Sequence, residues 1–276
     1  MCEYCVHHGS GKRWYQNARN YSKTLAMTEL VEEFCNSYFA RDIKPNSVDL
    51  KNQFKFDSAD TFELERKKTD YRYRKFVHHQ VVTTDEAVSI LKLASLQTGE
   101  HERAVVRIPC ICRHVVSGAD EGLHCYGIAF TDDYTRRFPK YLGGGHEYLS
   151  ADNAIHMLED MVMQEPIVHA ITALGVPYLG LLCNCDMKVC QPYLRRVSFG
   201  IDSPFHKGHY AATVDTQKCS GCGTCEASCP FKVASLNHDE STATIDSESC
   251  FGCGICISRC PEGAISFIDA PRTTGF

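Results

Sequence analysis

The chain has 276 residues, enough for two modest domains or one large domain with a sizeable core. Hydrophobic residues make up 43% and charged residues 23%, and the formal net charge of -5 lacks the basic excess of nucleic-acid-binding proteins, so we expect no nucleic-acid partner. No apolar run approaches the roughly 18 residues of a membrane-spanning helix. The first residues lack the basic-then-apolar pattern of an export signal, which predicts a cytoplasmic protein without a transmembrane segment.

The first segment, residues 1–75, is predicted to be helical at first and then highly charged. Apolar side chains between Trp14 and Tyr38 recur at roughly helical spacing without Pro or Gly, which predicts one long amphipathic helix over residues 14–40. After Pro45 the sequence becomes polar and then densely charged up to residue 75. Such a charge pattern predicts a solvated face or a linker.

The middle region, residues 76–205, alternates predicted helices and strands. Thr84 to Glu86 predict the capped start of a helix that ends before Gly99. Turn residues and apolar runs predict further elements: strands at 104–109, 126–130 and 178–182, and helices beginning at 150 and at 166, the second ending at Gly175. This alternation predicts a mixed α/β domain, and residues 198–208 are predicted to link it to the last domain.

The last quarter contains an internal repeat in which residues 215–230 return as residues 246–261. Each copy reads C-x2-C-x2-C-x3-C-P, the spacing of bacterial two-cluster ferredoxins. Residues 211–270 closely resemble that family, which implies two pseudo-symmetric halves of short strands and helices around two 4Fe-4S clusters. A pair of zinc sites is the alternative, but zinc requires neither the third cysteine nor the fourth before proline.

The resemblance implies that the fourth cysteine of each copy binds the cluster held by the other copy. One cluster is then held by Cys219, Cys222, Cys225 and Cys260. The other is held by Cys250, Cys253, Cys256 and Cys229. The predicted fold is α+β: an N-terminal helix and a mixed α/β middle domain, followed by a ferredoxin-like dicluster domain over residues 211–270.

Seventeen cysteines could indicate a disulfide framework, but without an export signal metal and redox chemistry explain them better. Six lie in the middle region, at Cys110, Cys112, Cys125, Cys183, Cys185 and Cys190. Two C-x-C pairs at the ends of predicted strands could meet on neighbouring strands, which predicts a third Fe-S cluster. The first choice of ligands is Cys110, Cys125, Cys183 and Cys185, with Cys112 and Cys190 as substitutes. Buried free thiols are the alternative.

The extreme N-terminus offers a further group of metal-ligand types. Cys2, Cys5, His7 and His8 suit zinc if one more ligand joins them, and Cys35 could supply it. A flexible terminus whose residues never converge is the alternative.

The whole chain resembles 4Fe-4S dicluster proteins of anaerobes that have an extra cysteine-rich N-terminal domain, marked by a C-x-C and a C-N-C. The ferredoxin motif favours an electron-transfer protein, and we expect it to be a subunit of an anaerobic cytoplasmic oxidoreductase complex, with redox proteins as its partners. A 4Fe-4S cluster has four iron atoms to be bound, whereas the middle region offers six candidate thiols. The site could therefore hold a non-standard cluster or one with an iron atom open to substrate, so a redox enzyme is the alternative. A redox sensor is the third possibility.

Overall fold

The computed structural model describes residues 2–38, 44, 46–98, 101–118, 123–128 and 145–271. The helices described are α1 (Glu3–His8), α2 (Lys23–Ala26), α3 (Glu29–Tyr38), α4 (Ala59–Phe76), α5 (Thr84–Thr98), α6 (Ile111–Ser117), α7 (Ala151–Gln164), α8 (Gln191–Phe199), α9 (Thr224–Ser228) and α10 (Ile255–Ser258). The strands are β1 (Val77–Val81), β2 (Val105–Pro109), β3 (Leu123–Ile128), β4 (Glu147–Leu149), β5 (Val168–Leu174), β6 (Leu179–Cys185), β7 (Tyr210–Val214), β8 (Ala234–Asn237), β9 (Thr242–Ile245) and β10 (Ile265–Asp269). This mixture confirms the predicted α+β class.

The N-terminal segment forms short helical pieces instead of the single helix predicted over residues 14–40. Two 3-10 turns come first, and α2 and α3 follow. The side chain of Asn17 accepts the backbone N–H of Arg19 at 3.3 Å, and the hydroxyl of Ser22 accepts that of Thr24 at 3.2 Å. Because such bonds start a new turn at each cap, they interrupt a continuous helix. The prediction of one long helix is therefore wrong.

The densely charged stretch before residue 76 is a helix, α4, and not a linker. Ser58 caps its start by accepting the N–H of Thr61 at 3.1 Å. Glu63 and Arg66 form an ion pair at 2.7 Å across one turn on its exposed side. Pairs of this kind stabilise a helix by a few tenths of a kcal/mol, about 0.3 in typical cases. The charges thus form a solvated face, as one of the two interpretations expected.

A six-stranded antiparallel sheet forms the centre of the molecule, in the order β1-β5-β6-β3-β2-β4. Helix α5 packs against α7 and against strands β2 and β5. The core between them contains fully buried side chains such as Leu91, Leu158 and Leu174. Among the described residues, none of the helices is both long and apolar enough to cross a bilayer.

Strand β5 occupies the segment that was predicted to be a helix between Pro166 and Gly175, and that prediction is wrong. All seven of its residues are buried, because β1 and β6 pair with it on either side and both faces of the sheet are covered. Burial on both faces removes the alternation that identifies a half-buried strand. A short apolar run of this kind does not distinguish a strand from a helix.

The predicted starts of α5 and α7 agree with the structure. Ser150 caps α7 by accepting the N–H of Asn153 at 3.2 Å. Helix α5 begins at Thr84, and its cap is the preceding residue: the hydroxyl of Thr83 accepts the N–H of Glu86 at 3.2 Å, while Glu86 Oε2 accepts the N–H of Thr83 at 2.9 Å. This reciprocal capping box fixes the position of the Glu86 carboxylate.

The C-terminal part forms two small antiparallel pairs, β7 with β10 and β8 with β9, and short helices α9 and α10 follow the two cysteine loops. Gly221 and Gly252 occupy equivalent places in the loops, with φ of 69° and 73°. A Cβ at Gly221 would collide with the carbonyl oxygen of Ser241, and one at Gly252 with that of Tyr210. Each loop therefore requires glycine both for its conformation and for its close approach to a neighbouring strand.

Gly252→Ala is expected to lower the melting temperature and the iron content of the anaerobically purified protein, because its new methyl group would push against the Tyr210 carbonyl. Gly263→Ala is the matched control, since Gly263 has a φ of 58° but a Cβ there would meet no atom within 4 Å. The positive φ alone costs either variant on the order of 1 kcal/mol. Thermal unfolding and an iron assay measure the difference. Equal losses in the two variants would contradict the role of the close approach.

Candidate functional site

Antiparallel pairing of β3 with β6 brings three of the middle-region cysteines together. Tyr126 pairs with Leu182 across the two strands, and this register puts Cys125 opposite Cys183. Cys185 lies two residues further along β6, so its side chain projects from the same face as that of Cys183.

The other three cysteines lie at the starts of two helices. Cys110 is the N-cap of α6 and Cys112 lies in its first turn, while Cys190 is the N-cap of α8. The backbone N–H of Gln191, the first residue of α8, donates to the sulfur of Cys112 at 3.4 Å. Helix starts bear partial positive charge, which stabilises nearby thiolates.

The six thiols form a closed ring, which we call the six-thiol ring. All six line one cavity, and the pKa of each thiol is shifted by two neighbours, in the order Cys110, Cys112, Cys190, Cys185, Cys183, Cys125 and back to Cys110. Sequence reasoning ranked four of them above Cys112 and Cys190, whereas in the structure all six line one cavity.

The direction of the pKa shift alternates from one thiol to the next around the ring, because of hydrogen bonding between neighbours. This bonding lowers the pKa of every second thiol, and these are Cys110, Cys183 and Cys190. At Cys190 burial opposes the shift most strongly and is outweighed by the bonds to its ring neighbours. The pKa is raised, first by hydrogen bonding and then by burial, at Cys112, Cys125 and Cys185.

The six-thiol ring is wider than the ligand shell of one metal ion. A tetrahedral zinc with Zn–S bonds of about 2.3 Å holds its sulfur atoms only about 3.8 Å apart. In the described part of the chain, no three ring sulfurs lie within 4.8 Å of one another; the one group of three at this place is Cys185, Cys190 and His79. The donor set therefore suits a polynuclear Fe-S core better than a single ion.

His79, which sequence reasoning missed, reaches the ring from β1. Its Nε2 lies 3.9 Å from the sulfur of Cys185, and its Nδ1 lies 2.6 Å from the hydroxyl of Thr172. Burial tends to lower the pKa of His79, but the hydrogen bond to Cys190 and the charge of Cys183 outweigh it and raise that pKa. The adjacent His78–His79 pair in a strand was the only sequence signal for this contact.

A cavity of about 430 Å³ opens beside the ring, and all six ring cysteines and His79 lie on its wall. Apolar side chains such as Ile108 and Leu181 form much of the remaining wall, and Arg72 and Arg195 also line it. The volume is that of a small-molecule site.

An aromatic cluster connects the ring with the C-terminal part of the chain. It consists of Tyr193, Phe205, Phe231 and Phe251. Phe231 and Phe251 stack with ring centroids 4.3 Å apart. Ring cysteines and a cysteine of the second repeat copy pack on the same group: Cys185, Cys190 and Cys253. Burial, and then the charges of Cys229 and Cys190, raise the pKa of Tyr193, which places this tyrosine near both.

The C-terminal cysteines lie in two groups. A small cavity is lined by Cys219, Cys222, Cys225 and Cys260, the first predicted ligand set. Cys229 lies close enough to Cys253 and Cys256 for its charge to add to burial in raising their pKa values. Cys222 is exposed, whereas Cys250 is buried. The first set thus has one exposed ligand, Cys222, and the second set adjoins the aromatic cluster through Cys253.

The N-terminal group differs from the one that the sequence suggested. Cys2 and Cys5 have their sulfur atoms 3.3 Å apart, and the imidazole that joins them belongs to His209, whose Nε2 lies 3.2 Å from the Cys5 sulfur. His7 instead pairs with Glu3 on the surface, and His8 packs its ring on Tyr4. Cys35 is buried in α3 and is not part of this group.

Comparison with known protein families finds one match within the chain: residues 218–264 match the model of the 4Fe-4S dicluster domain. The match spans all eight cysteines of the repeat and confirms the predicted resemblance of this segment. No match to a curated protein or to a solved structure was found.

His169 on β5 is expected to make stability depend on pH. Burial lowers its pKa to about 4, although the hydrogen bond to Asn184 at 2.7 Å opposes the shift. In the unfolded chain the pKa is about 6.5. The unfolded state therefore takes up the proton first as pH falls, so stability is full above about 6.5 and is lost towards pH 4.

Between pH 7.5 and 5.5 this histidine should remove about 1.4 kcal/mol from the free energy of unfolding. Urea unfolding of His169→Gln should show a shallower pH dependence than that of the parent protein, whatever its absolute stability. His156→Gln, at an exposed position of α7, is the control and should retain the full slope. Identical slopes in all three proteins would show that His169 does not titrate as described.

Proposed function

We propose that this chain is an electron-transfer protein with three Fe-S centres: two 4Fe-4S clusters in the dicluster domain and a third cluster in the six-thiol ring. The observation that supports the third centre is the closed ring itself, in which six thiols from β3, β6 and the starts of α6 and α8 converge. When bound, Fe-S clusters accept and release single electrons. The dicluster match supports that role for the C-terminal part.

The arrangement of the chain supports an order for the three centres. The ring and the loop of Cys253 pack on the same aromatic cluster, so the second ligand set, Cys250, Cys253, Cys256 and Cys229, adjoins the ring. The first set lies further out, where Cys222 is exposed. A redox partner protein would accordingly dock at the Cys222 loop. We place the chain in a cytoplasmic oxidoreductase complex of an anaerobe, where thiols stay reduced and clusters persist.

The iron content tests the third centre. Anaerobically purified protein should contain about twelve iron atoms per chain if three 4Fe-4S clusters are bound, and about eight if only the dicluster domain is loaded. The double variant Cys125→Ser, Cys183→Ser removes two adjacent ring thiols and should lower the content from about twelve to about eight.

Cys35→Ser is the control, because Cys35, like Cys125, is buried but lies outside the ring. It should retain about twelve iron atoms. A parent protein with about eight iron atoms after anaerobic purification and reconstitution would overturn the third centre. A ring variant that retains the parent's iron content would overturn the assignment of its ligands.

The cavity beside the ring supports a second candidate function, in which the third centre is catalytic. The wall of this cavity extends past the thiols to Ile108, Leu181 and Arg195, so room for a substrate adjoins the space that a cluster would occupy. His79 lies on the wall of this cavity, with Nδ1 held by Thr172, and could exchange a proton with a bound molecule from Nε2.

Reoxidation of the reduced protein separates the two functions. The dithionite-reduced chain, freed of excess reductant and kept without any partner, should be reoxidised by a substrate, at a rate that saturates with substrate concentration and is lost in the ring variant Cys125→Ser, Cys183→Ser, only if the ring site is catalytic. In that case His79→Gln should slow the reaction at least about tenfold, as loss of a proton donor does, without lowering the iron content. If reoxidation requires an added redox protein and His79→Gln has no effect, the relay is favoured.

A further inference from the structure

We infer that Cys2, Cys5 and His209 bind a zinc ion that fastens the N-terminal helix to the start of the dicluster domain. The three donor atoms, two sulfurs and one imidazole nitrogen, all lie within 4.8 Å of one another. This site is separate from the six-thiol ring and does not depend on the function proposed for it.

The spacing of the two thiols suits one ion. Cys2 is the N-cap of α1, and Cys5 follows three residues later on the same side of the helix. Their sulfurs are 3.3 Å apart, and tetrahedral zinc requires about 3.8 Å, so a widening of about half an ångström would admit the ion. The 3.2 Å between Cys5 Sγ and His209 Nε2 is similarly close to the contact between two ligands of one ion.

The hydrogen bonds of His209 fix which of its nitrogens is free to bind a metal. Tyr15 donates its only hydroxyl proton to Glu86 Oε1 at 2.6 Å, and Glu86 is held by the capping box and by Arg13. The Tyr15 oxygen, 3.0 Å from His209 Nδ1, must therefore accept the Nδ1 proton. The lone pair of Nε2 is then directed at the two sulfurs. The usual support of a zinc-bound histidine is a hydrogen bond donated by its far nitrogen; here the acceptor is the Tyr15 hydroxyl, which is in turn held by Glu86.

Each sulfur also faces an N–H donor, as metal-bound thiolates commonly do. The backbone N–H of Trp14 donates to Cys5 at 3.4 Å, and the Gln80 amide nitrogen lies 3.8 Å from the sulfur of Cys2. Trp14 Nε1 donates to the Gln80 oxygen at 2.9 Å, which turns the amide nitrogen towards Cys2. Cys2 and His209 are half-buried, so a water molecule can complete the four ligands.

Coordination of one zinc ion by Cys2, Cys5 and His209 would cross-link distant parts of the chain. His209 immediately precedes β7, the first strand of the dicluster domain, whereas Cys2 and Cys5 begin the molecule. Zinc would hold these parts together and would raise the melting temperature as the zinc concentration increases, since an ion that binds only the folded state stabilises it.

Zinc analysis of the anaerobically purified full-length protein tests this site. We expect one zinc per chain, and a zinc-edge X-ray absorption spectrum with two sulfur atoms at about 2.3 Å and lighter atoms at about 2.0–2.1 Å. Cys5→Ser and His209→Gln should each lose the zinc while the iron content, measured on the same sample, shows that the protein has folded. His7→Gln and Cys35→Ser are the controls, because they offer the same ligand types outside the site, and they should retain it.

Tyr15→Phe tests the positioning of His209. It should weaken zinc binding about 10- to 100-fold, as loss of such supporting groups does, yet still reach one zinc per chain at saturation. Protein isolated without zinc would be titrated with Zn²⁺ alone. Failure to bind one ion tighter than micromolar, a Cys2–Cys5 disulfide under reducing conditions, or zinc that survives His209→Gln would each overturn the inference.

Discussion

The antiparallel register of β3 and β6 is the constraint on which the rest of the site depends. Shifting this pairing by a single residue would turn Cys125 and Cys183 to opposite faces of the sheet, because side chains alternate along a strand. Strand β6 ends at Cys185, and α8 begins a few residues later with Cys190 as its cap. The ring is thus a property of the whole sheet and not of any local motif.

The two kinds of cysteine site differ in how far apart their cysteines lie in the sequence. This difference explains which features of each site could be predicted from the sequence. The eight dicluster cysteines lie in two short stretches with a fixed spacing, so they were identified directly from the sequence. The family match at residues 218–264 agrees with this identification. The middle-region thiols were predicted to gather because their C-x-C pairs follow apolar strands. Their cyclic order could not be predicted, since it depends on the pairing of β3 with β6.

Other features escaped prediction for definite physical reasons. Strand β5 was mistaken for a helix because burial on both faces gives an apolar run without alternation. His79 and His209 were missed because each meets its cysteines only through long-range contacts, across 106 residues for His79 and Cys185 and 204 for His209 and Cys5. The caps of α5 and α7, by contrast, depend on residues within one turn, and their sequence signals were reliable.

The aromatic cluster has a consequence for how separable the parts of this protein are. Phe231 directly follows the first copy of the cysteine repeat and Phe251 lies in the second, but their rings pack on Tyr193 and Phe205, which precede both copies. Small ferredoxins are often regarded as interchangeable modules, joined to other domains by a simple connection. Here the module shares its core with its neighbour: excised at residue 210, it would expose two stacked phenylalanines beside a cluster-binding loop. The repeat and the residues that precede it therefore share one packed cluster, even though its cysteine spacing is that of a free-standing protein.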